Sequence, residues 1–247
     1  MTADADPALA AEGREALRPR GRKAQLESSQ LRPGWTTGAC ACAAATSAFV
    51  ALETGEFPDP VGIALPGGRE AAFALTQWRL WPGRAMAAVT KDAGDDPDVT
   101  HGAVVRVVVE PGETGGGVRF AGGEGVGTVT LPGLPLPVGE PAINPKPREY
   151  ITANITTAAE RLGVAPDVRV TVSIDDGARI AEKTWNSRIG VLGGLSVLGT
   201  TGVVVPYSCS AWIASIHRGI DVAIATGATR AAACTGSTSE RVAEELY

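Results

Sequence analysis

The chain has 247 residues, 44% of them hydrophobic, with 22 Lys+Arg against 27 Asp+Glu, 31 Gly, 17 Pro, 4 Cys and 2 His. That apolar share can bury a core and excludes a disordered chain, and the length corresponds to one large domain or two small ones. A net charge of −5 excludes a general nucleic-acid binder, which needs a basic footprint to neutralise phosphates.

Residues 1–30 hold no sustained apolar periodicity, and Arg18-Pro19-Arg20-Gly21-Arg22-Lys23 is a basic cluster broken by helix-unfriendly residues. A mobile tail is expected there. Folded structure begins near Leu31, where Arg32-Pro33-Gly34-Trp35-Thr36-Thr37-Gly38 is turn chemistry leading into a helix of small residues from Ala39 to Val50. Short β-type runs follow at Val61–Leu65, Ala72–Leu80, Met86–Lys91, Ala103–Glu110 and Thr128–Leu131, each bounded by Gly, Pro or Asp. Arg148–Gly163 has apolar residues at helical spacing, and Val168–Ile174 reads as a strand. Beyond it the pattern shifts to a glycine-closed strand at Ile189–Gly194, a helix at Ser208–Ala225, a small-residue strand at Arg230–Cys234, and a capped helix over Arg241–Tyr247. The expected architecture is an α+β domain over 31–150 followed by an α/β Rossmann-like domain over 151–247. That second half is short of the strands a doubly wound sheet needs, so it is expected to be smaller or incomplete.

Cys40, Cys42, Cys209 and Cys234 form no C-x-x-C pair and the two histidines are far apart, so no bound metal is expected. The start of the chain lacks a signal-type apolar region, and no run of 18 apolar residues occurs, which leads to an expectation of a cytoplasmic protein with no membrane partner.

Three segments could carry chemistry. The densest is Lys91-Asp92-Ala93-Gly94-Asp95-Asp96-Pro97-Asp98-Val99-Thr100-His101-Gly102, which lacks the EF-hand order. Crowded carboxylates raise one another's pKa, and an imidazole titrates near neutrality, so Asp92, Asp95, Asp96 and His101 are candidate acid/base groups; a solvated acidic turn is the plain alternative. In the second, Gly193, Gly194, Gly199, Thr200, Thr201 and Gly202 imitate a P-loop without its lysine. This disfavours ATP hydrolysis and leaves a glycine loop suited to close approach by a nucleotide-like cofactor. The third, Gly122-Gly123-Glu124-Gly125-Val126-Gly127, misses G-x-G-x-x-G and reads as a turn or bulge.

Six stretches occur in order: Arg32-Pro33-Gly34-Trp35-Thr36-Thr37-Gly38-Ala39-Cys40; the Lys91–Gly102 run; Gly125-Val126-Gly127-Thr128-Val129-Thr130; Pro141-Ala142-Ile143-Asn144-Pro145; Ala181-Glu182-Lys183-Thr184-Trp185-Asn186; and Gly193-Gly194 with Gly199-Thr200-Thr201-Gly202. Together they resemble the cobalt-precorrin-5B C1-methyltransferase family of the oxygen-independent cobalamin pathway, across residues 31 to 247. The resemblance implies S-adenosylmethionine as methyl donor and a cobalt-containing tetrapyrrole as acceptor. In that setting Gly193–Gly202 is expected to bind the donor. Arg32, Lys91, Lys183, Arg188 and the N–H groups at Thr36, Thr37 and Gly38 are expected to meet the carboxylate arms of the ring. Two other functions fit less of the sequence: a non-catalytic corrinoid-binding remnant, and an acyltransferase with Thr36 or Thr37 as nucleophile, for which no base is supplied.

Overall fold

In the computed structural model, which describes residues 31–246, the centre is a helix too apolar to sit anywhere but inside. Helix α1 (Thr37–Thr54) is rich in Ala, Cys, Thr and Ser, and all but four of its residues are buried. Thr36 caps its start by accepting the Ala39 N–H, and Gly55, in the left-handed region, ends it. Small side chains let other backbones approach closely on every side. Its hydropathy and length would suit a membrane span, yet burial inside the fold accounts for them.

One side of α1 lies on a five-stranded sheet of β4 (Gln77–Trp81), β5 (Arg84–Thr90), β6 (Val104–Pro111), β9 (Val168–Ile174) and β7 (Val118–Gly122), in that spatial order. All pairs are antiparallel except β7 with β9. The alternation in β6 and β9 is strict: Val105, Val107 and Val109 face α1, Val168, Val170, Val172 and Ile174 lie on the same side of the sheet, and all are buried. Helix α2 (Pro145–Leu162), with Pro at its first turn, packs on another side of α1 through Tyr150, Ile151 and Ile155. The hairpin β2 (Val61–Leu65) and β3 (Arg69–Phe73) closes the core.

Three further pieces finish the chain. Strands β1 (Gly34–Trp35) and β11 (Val203–Val204) pair, as do β8 (Thr128–Val129) and β10 (Val191–Leu192). A short helix α3 (Gly177–Ala181) and a 3₁₀ turn at Asn186–Ile189 precede α4 (Cys209–Ala225) and α5 (Ser237–Leu246).

A mixed α/β fold is thus present, but not in the arrangement expected. The chain passes residue 150 inside α2, and β9 beyond it is inserted between β6 and β7, so segments from both expected domains share one sheet and one core. Residues 230–234 form no strand, because no described strand lies beside them to pair with. The run 72–80 divides into β3 and β4 at Ala74–Thr76, and β7 was not anticipated. The tail expected over residues 1–30 and the last residue, 247, lie outside the described residues.

Candidate active site

The acidic segment is a loop closed at its base. Strands β5 and β6 continue their ladder through Lys91 N–H to Ala103 O and Gly102 N–H to Lys91 O, both 2.8 Å. Within it, Asp98 Oδ1 accepts the Thr100 N–H (2.8 Å) and hydroxyl (2.6 Å), while Asp98 Oδ2 accepts from Lys91 Nζ at 2.8 Å. Burial pushes the Asp98 carboxyl up, but the Lys91 ammonium and the Thr100 hydrogen bonds outweigh it and hold it below the usual range. The Lys91 side chain is 2% exposed. It was expected on the substrate; the structure instead commits it to the inside of the loop.

The remaining acids face the segment before α1. Arg32 grips Asp92 through both Nη atoms, at 2.5 and 3.0 Å. Those two bonds, with the Gly94 N–H, bring the Asp92 carboxyl down to about 2. Asp95 Oδ2 accepts the Arg32 N–H at 2.6 Å while the Asp95 N–H donates to Arg32 O. Trp35 N–H donates to Asp92 O, and Asp96 Oδ1 accepts the Tyr207 N–H at 2.9 Å. The two backbones meet so closely at Gly34 and Gly94 that a Cβ on Gly34 would lie 2.0 Å from the Ala93 carbonyl carbon. These carboxylates therefore fasten three segments together. His101 is exposed, as Asp95 is: its Nδ1 accepts the Ala93 N–H at 3.1 Å, 3.7 Å from Asp92 Oδ1, so the neutral ring carries its proton on Nε2.

The N-terminus of α1 is stopped by the chain's own carbonyls. Gly38 N–H donates to Leu198 O and Thr36 N–H to Gly202 O, both at 3.0 Å, and Thr37 Oγ1 accepts the Leu198 N–H. Thr36 and Thr37 are 6% and 3% exposed. Of the N–H groups expected to hold a carboxylate arm, those of Thr36 and Gly38 are thus used inside the protein, and Thr37 is buried beside them. Cys40 and Cys42 are wholly enclosed, and burial pushes the Cys40 thiol up to about 12 and Cys42 higher still.

The Gly193–Gly202 loop shows two kinds of glycine. A Cβ on Gly194 would meet Gly125 O, one on Gly199 the Thr36 side chain, and one on Gly202 the Leu65 side chain, each under 3.0 Å. These three allow close packing of loop on loop: Leu195 N–H donates to Gly125 O and Val197 N–H to Ala142 O. Gly193, Thr200 and Thr201 instead face solvent. The acidic loop and this glycine loop are neighbours, joined through residues 32–38, as the Asp96–Tyr207 and Thr36–Gly202 bonds require.

Lys183 and Arg188 lie elsewhere. Lys183 is exposed, and Arg188 is paired with Glu240. Arg188 borders a groove of about 1440 Å³ with Trp185, Trp212, Ile216, Arg230 and Gly236 among its walls. Trp185 and Trp212 meet edge to face at 5.9 Å. The helical spacing of Ser208–Ala225 and the cap residues at Thr235–Ser239 mark the elements that wall this groove, but nothing local in the sequence marks their meeting. Among the described residues no group of His, Cys, Asp and Glu could hold a metal ion.

The model of one protein family, CbiD, matches residues 24–206. The chain belongs to the CbiD family. This agrees with the resemblance carried by the six motifs. Among curated CbiD-like relatives, a cobalt-precorrin-5B C(1)-methyltransferase of Bradyrhizobium sp. (strain BTAi1) is 58% identical over 217 residues, 88% of this chain and 58% of the relative. The protein of that name from Paramagnetospirillum magneticum is 56% identical over 220 residues, 89% of this chain and 62% of the relative. The crystal structure of the cobalamin biosynthesis protein (cbiD) from Archaeoglobus fulgidus is 30% identical with a TM-score of 0.57, covering 76% of this chain and 59% of that one. The chain thus spans about three fifths of the length of the CbiD proteins it matches.

Proposed function

We propose that this protein takes part in transfer of a methyl group from S-adenosylmethionine to C1 of cobalt-precorrin-5B, in the cytoplasm. The observation that carries this reading is the 58% identity to a relative of that name over 88% of the chain. The same reading assigns the donor to the loop before α4; the Rossmann-like unit expected over 151–247 has no parallel sheet of its own among the described residues, since its one long strand, β9, belongs to the main sheet.

Methyl transfer from a sulfonium to carbon is an in-line displacement, so the protein's task is to align two reactants and keep water out. The donor is consumed and is a co-substrate. Contacts to it fall to Gly193, Thr200 and Thr201, since Gly194, Gly199 and Gly202 are filled by the chain itself. A proton delivered to or taken from the ring needs a side chain within reach of solvent; His101 is exposed and, with Nδ1 accepting from Ala93, carries its proton on Nε2, so it offers the ring a hydrogen-bond donor. Asp92, ionised, is fixed by Arg32, while Asp95 and Asp96 hold the surrounding segments.

Incubation of the full chain with S-adenosylmethionine and cobalt-precorrin-5B under anaerobic conditions should add the mass of one methyl group to the tetrapyrrole. Ring binding with no mass gain at saturating donor would defeat the proposal.

A further inference from the structure

The cations expected to meet carboxylate arms are mostly engaged: Arg32 with Asp92, Lys91 with Asp98 and Arg188 with Glu240. Unengaged guanidiniums gather on the opposite side of the molecule's main sheet. Helix α1 covers one face of that sheet, and among the described elements no helix packs across the other. On this open face the strand register puts Trp81 beside Arg84, and Glu110 beside Arg169, which stands beside Arg119. Residues paired across strands share a face, so these side chains form one row across the sheet. Arg79, two residues from Trp81, lies on the same face.

The guanidinium carbons of Arg79 and Arg84 are 4.9 and 4.7 Å from the centre of the Trp81 ring. Stacking fixes the plane of a guanidinium and leaves its N–H edge free for bidentate bonds to a carboxylate. Arg119 and Arg169 are like charges directly opposite each other, which destabilises a sheet unless an anion lies between them. Four guanidiniums face one carboxylate, Glu110, in a chain of net charge −5. None of the four makes an ion pair among the described residues.

We propose that this arginine row is the recognition surface for the carboxylate arms of a flat polycarboxylate macrocycle, an inference that rests on the methyltransferase reading. A small anion needs donors closing around it; a planar ring with several arms fits an open sheet face with separated forks. Strand β5 runs from Arg84 in the row to Thr90, next to the acidic loop, about 20 Å away. The row therefore anchors arms on the ring edge remote from His101.

Cobalt uroporphyrin, with eight carboxylates, and cobalt coproporphyrin, with four, test the surface by absorbance titration against the full chain. The octacarboxylate should bind more tightly, and its affinity should fall with salt. Arg79→Gln/Arg84→Gln and Arg119→Gln/Arg169→Gln should each weaken it about ten-fold and narrow the gap between the two porphyrins. Arg79→Lys/Arg84→Lys, retaining charge without the fork, should fall between. Arg161→Gln, an exposed change on α2, should leave binding as it was. Unchanged affinity in both Gln pairs, or no binding of either porphyrin by the parent, overturns the assignment. If the Gln pairs lose porphyrin while the parent transfers no methyl group, the surface stands and the methyltransferase reading falls.

Discussion

Asp92 illustrates how a residue can look catalytic in sequence and be structural in place. Four aspartates within seven residues suggest mutual repulsion and a raised pKa, but Arg32, sixty residues earlier in the chain, reverses the sign. The Asp92 carboxyl is depressed to about 2 from an ordinary 3.8. Such a group adds stability that is fully present above its unfolded value and is lost as pH falls through its folded value. Arg32→Gln should therefore return the Asp92 midpoint, followed by carboxyl NMR, towards 3.8. The stability gap between parent and variant should be constant above about pH 4 and close between pH 4 and 2. A gap unchanged across that window would show that the Arg32 side chain acts by packing and not through its ion pair with Asp92, and no gap at all that only its backbone matters. Because both side chains are about half exposed, the pair is a modest stabiliser and chiefly sets position. The types of residue at this site were legible; their partners were not, since nothing local in the sequence announces a bond across sixty positions.

At the level of elements, sequence pattern was most reliable where burial and hydrogen bonding are both local. The alternation of Val61–Leu65 and Val168–Ile174 and the three- and four-residue spacing in α2 gave those segments nearly to the residue. Segments whose identity depends on a distant neighbour were missed or overcalled, β7 and residues 230–234 among them. One side chain shows how elements are joined beyond pattern. Asn154 on α2 accepts the Ala64 N–H and donates to the Ala64 carbonyl, each at 2.8 Å, and donates again to Tyr150 O. It behaves as a one-residue strand against the edge of β2. Asn154→Ala would remove both side-chain bonds to Ala64, whose exposed position lets water replace them in part, costing about 1–2 kcal/mol. Thermal melting should record the loss, with faster hydrogen exchange at the Ala64 amide; an unchanged amide would mean that β2 is held by its hairpin alone.

For the molecule as a whole, connectivity matters more than content. A reading in chain order places a boundary near residue 150, because composition shifts there; yet the sheet that forms the core is completed only by β9, which slots between β6 and β7. Without it, β6 loses a partner along Val105–Pro111 and β7 has none. A version ending at residue 165 is accordingly expected to show no cooperative melt by circular dichroism, although it retains α1, α2 and all eight strands before Leu131 intact in sequence. A sharp transition in that shortened protein would place the core elsewhere. During synthesis the same topology imposes an order of events: Val118–Gly122 leaves the ribosome with no neighbour and must wait some fifty residues for the strand that shelters it. Until then its backbone is open to any extended segment nearby, and its five-residue length and the charge of Arg119 guard a nascent chain as much as they serve a finished one.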